Sequence, residues 1–257
     1  MVHLPALPDA PAHSLPMTDI IEAALHDADA LIRGGVDGLI VENLGDVPFH
    51  GHQVSAATVA ALTRVVTEVC AHAGDVPVGV NVLRNDANAA LAIAAATGAR
   101  FVRVNVHTGS MFTDQGLLQG RAAETLRTRE RLCPDVALFA DVHVKHAVPV
   151  PGEVLEDAAR DAWHRGLADA LIVSGAATGA PTDPARVARV VEAVDGAPVW
   201  VGSGAASEQL AELEAAGAHG FIVGSALRRD GAAGAPVEPH RVDDFMQAVA
   251  GCRSRRP

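Results

Sequence analysis

The sequence predicts a single-domain α/β protein built as a (β/α)8 TIM barrel with a short or truncated first strand, and three observations carry that prediction. Short apolar, β-branched-rich runs alternate with alanine-rich amphipathic stretches along the chain, the pattern of parallel strands joined by crossover helices. A weak internal repeat opens alternate strands: Gly35-Val36-Asp37-Gly38, Gly98-Ala99-Arg100-Phe101, Gly166-Leu167-Ala168-Asp169 and Gly217-Ala218-His219-Gly220 each place a helix-ending glycine just before a strand. The strands between them are introduced by proline, at Pro77, Pro134 and Pro198. A two-strand, two-helix unit therefore recurs about four times, which is the arithmetic of an eightfold barrel.

Taken in order, strands are expected at residues 1–4, 36–41, 76–82, 101–106, 136–144, 170–173, 198–201 and 221–223. Apolar runs of this length suit strands covered on both faces. Helices are expected at 19–32, 56–70, 86–96, 153–163 and 207–216, where apolar residues recur at helical spacing. Residues 108–119 form a connection long enough to act as a lid over the barrel mouth. The stretch Ser174-Gly175-Ala176-Ala177-Thr178-Gly179 reads either as a ligand-approaching loop or as an ordinary connection. Residues 251–257 are expected to be a disordered tail.

Composition narrows the function classes. With 257 residues and 49% hydrophobic content, the chain can bury a full core as one domain. No apolar run approaches the roughly 18–20 residues that a membrane span needs, and no basic-then-apolar leader opens the chain. A net charge of −11 with scattered arginines argues against nucleic acid as a partner. Cys70, Cys133 and Cys252 have no pairing or metal-ligand spacing, so reduced thiols and a cytoplasmic location are expected. Lys145 is the single lysine among 20 basic residues. The expected partner is a phosphorylated small molecule, with a homo-oligomer left open.

Barrel chemistry collects at the C-terminal ends of the strands, and these ends are polar. They carry His3, then Glu42, Asn43 and Asp46, then Asn81, Arg84, Asn85 and Asp86, then Asn105 and His107, then Asp141, His143, Lys145 and His146, and then Ser174. Asp46, Asn85 and Asp86 serve equally well as helix caps. Glu42, Asn81, Asn105 and Asp141 continue their strands and should enter the mouth. Asp114, in the candidate lid, joins the substrate-contacting set. After the last two strands the character changes: Gly202, Ser203 and Gly204, and Gly224 with Ser225, offer backbone donors and hydroxyls to an anion. Period two places Asp141, His143 and Lys145 on one face, and burying that face beneath helices would be costly. It is therefore expected inward, with a satisfied Asp141–Lys145 ion pair as the plain alternative. No cofactor is predicted; a divalent metal held by Asp141, His143 and His3 is a further alternative, without familiar ligand spacing.

Several longer strings carry a family resemblance. Met1-Val2-His3-Leu4-Pro5, Val41-Glu42-Asn43, Gly45-Asp46-Val47-Pro48-Phe49, Val80-Asn81-Val82-Leu83-Arg84-Asn85-Asp86, Arg103-Val104-Asn105, Thr113-Asp114-Gln115-Gly116, Ala140-Asp141-Val142-His143-Val144-Lys145-His146-Ala147 and Val201-Gly202-Ser203-Gly204, in this order, resemble the BtpA/SgcQ family over nearly the whole chain. The resemblance implies a TIM barrel of the phosphate-binding kind. It implies no particular reaction: the family's namesake is associated with photosystem I accumulation, and other relatives with sugar or nucleoside functions. The chain departs from the family pattern at the lead into the first strand and at Pro8-Asp9-Ala10-Pro11, where relatives have a proline-glycine turn.

The residues favour an enzyme acting on a phosphorylated sugar or nucleotide-like substrate, with Lys145, Asp141, His143 and Glu42 as catalytic candidates. One reading is a ribosyl glycosidic bond made or broken by Glu42 and Asp141. Its rival is a Schiff-base aldolase or isomerase using Lys145. A non-catalytic assembly factor is the alternative of a different class.

Overall fold

The computed structural model describes residues 1–175 and 181–253. Eight parallel strands form one sheet: β1 (Val2–His3), β2 (Leu39–Glu42), β3 (Val78–Asn81), β4 (Phe101–Val104), β7 (Ala137–Val142), β9 (Ala170–Val173), β10 (Val199–Val201) and β11 (Gly220–Phe221), paired in that order. The sheet curls until its two edges meet, where the Met1 nitrogen donates to the Val223 carbonyl at 2.9 Å. Helices α1 (Met17–Arg33), α2 (Ala56–Ala73), α3 (Ala87–Thr97), α4 (Ala122–Leu132), α5 (Leu155–Arg160), α6 (Pro184–Ala193), α7 (Leu210–Ala215) and α8 (Pro239–Arg253) alternate with these strands. The expected (β/α)8 architecture is present.

Local chemistry sets the helix ends. Ser55 accepts from the Thr58 N–H, Asp86 from that of Ala89 and Asp183 from that of Ala185, each satisfying an orphan donor of a first turn. Leu62, Val65, Leu91, Leu138 and Val187 are fully buried between strands and helices, each worth roughly 1.5–3 kcal/mol of transfer free energy. Inside the barrel a separate apolar floor forms from Ile40, Ile172 and Ile222, packed by Phe101, Phe139 and Trp200. Above that floor the register sets His3 beside Glu42, Glu42 beside Asn81 and Asn81 beside Arg103.

Three expectations change. Residues 108–119 are not a bare lid loop but a hairpin, β5 (Ser110–Thr113) and β6 (Gly116–Gln119), joined by β8 (Ala147–Pro149) into a small antiparallel sheet in the order β6-β5-β8. Met111 and Leu118 fix this flap by packing with Val106 and Val144, while Leu117, Phe112 and Val148 lie in register and stay exposed. The expected helix at 153–163 is α5 followed by a π-helical turn, Asp161–Arg165. The expected tail starts as helix, because 251–253 end α8; residues 254–257, like 176–180 in the candidate ligand loop, lie outside the described residues. Among the described residues no helix is long and apolar enough to cross a membrane.

Candidate functional site

Round the barrel mouth the strands end on two kinds of residue. β1 to β9 lead into His3, Glu42, Asn81, Arg103, Asp141 and Ser174, with side chains almost wholly removed from solvent. β10 runs instead straight into Gly202, and β11 reaches Gly224 after Ile222 and Val223. A cavity of about 220 Å3 lies between the two sets. His3, Glu42, Arg103 and Lys145 line one side, and residues 202–206 and 224–226 line the other. The glycines are needed for space: a Cβ on Gly202 would stand 2.3 Å from Ile172 Cγ2 and 2.9 Å from Ser174 Oγ. One on Gly224 would stand 3.1 Å from the His3 ring.

Hydrogen bonds sort the two carboxylates of the mouth. Asp141 is fully used: Arg103 donates through Nε to Oδ2 and through Nη2 to Oδ1, both at 2.8 Å. Asn105 Nδ2 adds a bond to Oδ2 at 3.1 Å and Ser174 Oγ one to Oδ1 at 3.3 Å. Burial works against the Arg103 charge, yet the Asp141 carboxylate outweighs it and raises the guanidinium pKa, as a bidentate pair should. Glu42 is freer. Its Oε2 accepts from Asn81 Nδ2 at 2.6 Å, and its Oε1 lies 3.9 Å from His3 Nε2. His3 Nδ1 accepts from the Gly234 N–H at 3.3 Å, which assigns the ring proton to Nε2, toward Glu42. Burial and, next, the Arg228 charge push the His3 pKa down to about 2, so this imidazole is neutral.

Lys145 reaches the cavity from the loop after β7. Its amine makes no hydrogen bond or ion pair among the described residues. Burial pushes its pKa down against the pull of the Glu42 charge. The expected common face of Asp141, His143 and Lys145 is not formed as a strand face. β7 stops at Val142, and His143 takes a left-handed backbone, φ 52°. His143 is thereby turned to Glu153, Nε2 to Oε2 3.4 Å, and its pKa falls to about 4 through burial and the Arg186 charge. The alternative trio of Asp141, His143 and His3 is consequently not gathered, and neither is the Asp141–Lys145 ion pair.

The remaining predicted residues stitch loops together. Asn43 holds Leu83 through both backbone groups, accepting from its N–H at 2.7 Å and donating to its carbonyl at 3.4 Å, and also donates to Asp46. Asp46 in turn accepts from the Leu7 N–H. Arg84 donates to the Lys145 carbonyl at 2.7 Å, Asn85 clasps the Val106 N–H and C=O, and Asp86 caps α3 while also accepting from Val54 N–H. The capping alternative is right for Asp86. His107 is bonded to the Gly166 carbonyl at 2.7 Å, away from the cavity. Asp114 is exposed at the hairpin tip. Ser203 and Ser225 line the cavity with Gly202, Gly204 and Gly224.

Arg103 was absent from the expected site. Its signal was available: a charged residue inside Phe101-Val102-Arg103-Val104 that shares period-two parity with the inward-directed Asn105. A larger cavity, about 450 Å3, lies beneath the aromatic floor against Phe245, Met246 and Val249 of α8. It holds only Met1 and Ile222–Val223 in common with the mouth and none of the expected site residues, so the smaller cavity is the candidate site.

A family model described as the BtpA family matches residues 1–251. The chain belongs to the BtpA family. A curated BtpA relative, the photosystem I biogenesis protein BtpA of a Synechocystis strain, is 46% identical over 99% of this chain and 88% of its own length. Among solved structures, the fold resembles a thiamine phosphate pyrophosphorylase from Pyrococcus furiosus, with a TM-score of 0.59, 15% identity and 90% of each chain covered. It also resembles phosphoribosyl anthranilate isomerase from Thermus thermophilus, with a TM-score of 0.59, 14% identity, and 88% of this chain and 94% of that one covered. At such identities these two structures establish that this BtpA chain has the barrel fold.

Proposed function

We propose that the protein is an enzyme acting on a small phosphorylated carbonyl compound, with Lys145 as the nucleophilic amine. The observation that carries this reading is one cavity in which a lysine amine, unpaired among the described residues, faces two glycine-serine loops. Residues 203–204 and 224–225 hold the phosphate through backbone N–H groups and hydroxyls, while the Gly202 N–H stays with the Val173 carbonyl at 2.8 Å. The Arg103 guanidinium, held by Asp141, lines the facing side. Lys145 Nζ adds to the substrate carbonyl carbon, and the carbonyl oxygen leaves as water after taking one proton from the amine and one from solvent, giving an iminium. The iminium accepts the electron pair of a neighbouring C–H bond while Glu42 takes that proton. Return of the proton to the same carbon from the opposite face restores the C=N bond, a net epimerisation, and hydrolysis of that bond regenerates the amine.

The alternative glycosidic reading needs two available carboxylates, and the four hydrogen bonds on Asp141 leave Glu42 alone in that role. A non-catalytic assembly role is a second reading, favoured by the exposed Leu117–Phe112–Val148 row on the flap and by the name of the Synechocystis relative.

The test is reductive trapping. The protein is incubated with a panel of phosphorylated aldoses and ketoses, reduced with borohydride and mapped by peptide mass. Because the chain has one lysine, an adduct on a lysine is an adduct on Lys145. The expected result is an adduct suppressed by inorganic phosphate, and at least about a hundredfold loss of turnover in a folded Lys145→Arg variant. No adduct with any member of the panel, or an active Lys145→Arg, overturns the reading.

A further inference from the structure

The segment Leu83-Arg84-Asn85-Asp86 is bonded, residue by residue, to other loops of the mouth. Leu83 is held by Asn43 after β2, Asn85 by Val106 after β4, and Asp86 by the Val54 N–H ahead of α2. The Arg84 backbone N–H donates to the His50 carbonyl at 3.0 Å. With its main chain fixed by the loops after β2 and β4, Arg84 extends a buried side chain to a third loop, where Nη2 donates to the Lys145 carbonyl at 2.7 Å. That loop bends at both flanks of the lysine: His143 and His146 have φ of 52° and 56°, a region that side-chain-bearing residues seldom occupy without support. Lys145 otherwise stands on a loop, which is a less exact platform than a strand.

We propose that Arg84 is a positioning residue for Lys145: anchored by its own loop, its guanidinium grips the lysine carbonyl and thereby fixes the amine opposite the glycine-serine loops. The inference rests on the reading of Lys145 as the reacting amine. Charge acts in the same direction. The groups facing the amine are Glu42 from β2, Arg103 from β4, Asp141 from β7 and Arg84 from the loop after β3, with His3 from β1 and His146 beside it. Arg84 and Arg103 oppose protonation, and Glu42 and Asp141 favour it. Loss of the Arg84 charge and release of the loop into water both raise the affinity of the amine for a proton.

The single lysine permits a test that does not need the substrate. Reductive methylation with 13C-formaldehyde labels Lys145 and the N-terminal amine alone, and NMR follows each signal through a pH titration of the folded protein. In the parent the Lys145 signal should titrate below the ordinary lysine range near 10.4. In Arg84→Gln and Arg84→Met the midpoint should rise, and trapping by a phosphorylated carbonyl compound should slow by about ten- to a hundredfold. Arg121→Gln, which removes an exposed arginine paired with Glu124, should leave both unchanged. An unshifted midpoint and unchanged trapping in Arg84→Gln overturn the positioning role. If both Arg84 variants fail to fold, a parent Lys145 that titrates like a free lysine overturns it instead. A depressed, Arg84-dependent midpoint without trapping by any panel member defeats the catalytic reading and leaves the Arg84 contact standing.

Discussion

The two halves of the barrel mouth solve different problems with different residues. From β1 to β9 the strand ends carry bulky polar side chains locked in pairs, Glu42 with Asn81 and Arg103 with Asp141. β10 and β11 lead instead to Gly202 and Gly224, where a Cβ would crowd Ile172, Ser174 and His3, and the cavity opens beside them. An acidic chain would repel an anion at most places on its surface. Under the proposed function, backbone N–H groups of residues 203–204 and 224–225 face the ligand, with the Arg103 guanidinium on the facing half. Under the proposed function, one half carries the chemistry and the other admits the ligand.

The sharpest way to break that division is to compare the two carboxylates. Glu42→Gln should lower turnover about a hundredfold with little change in stability. Asp141→Asn should cost about 3–5 kcal/mol of stability by leaving Arg103 buried and uncompensated. Urea unfolding and kinetics on both variants check this, and equal kinetic losses at unchanged stability would erase the distinction. A smaller effect is expected on the access side. Gly202→Ala should cost about 1–3 kcal/mol through overpacking against Ile172 and Ser174 and weaken phosphate binding, measured by calorimetry. If it binds phosphate as the parent does, the glycine half is not the anion site.

At neutral pH the smallest effect is that of His3, which grows only in acid. Its folded pKa, about 2, lies below the unfolded value near 6.5, so the unfolded chain binds more protons between those limits. Stability is therefore complete above the unfolded pKa and is lost as pH falls through that window, by up to about 1.4 kcal/mol per pH unit for one such group. His3→Gln should flatten the fall between pH 6.5 and 5 in urea titrations. An identical slope in parent and variant would place His3 in water.

The strands were legible because each is a short apolar run bounded by glycine or proline, and β9 appears where residues 170–173 predict it. The flap was not, since β5 pairs with β8 across a long stretch of chain and no local pattern announces that partner. The glycine-serine loops were legible from composition at the last two strand ends. The division of labour between Glu42 and Asp141 was not, because it depends on Arg103, whose charge sits inside an otherwise apolar run. His143 failed for a related reason: period two holds only while the strand lasts, and β7 ends one residue before it.

The most direct measurement is a crystal structure of the protein soaked with ribose 5-phosphate, a compound with a phosphate at one end and a carbonyl at the other. The account predicts the phosphate between residues 203–204 and 224–225, hydrogen-bonded to backbone N–H groups, and the C1 carbon directed at Lys145 Nζ. A phosphate bound instead on Arg84 or the flap, with the sugar turned away from Lys145, would contradict it.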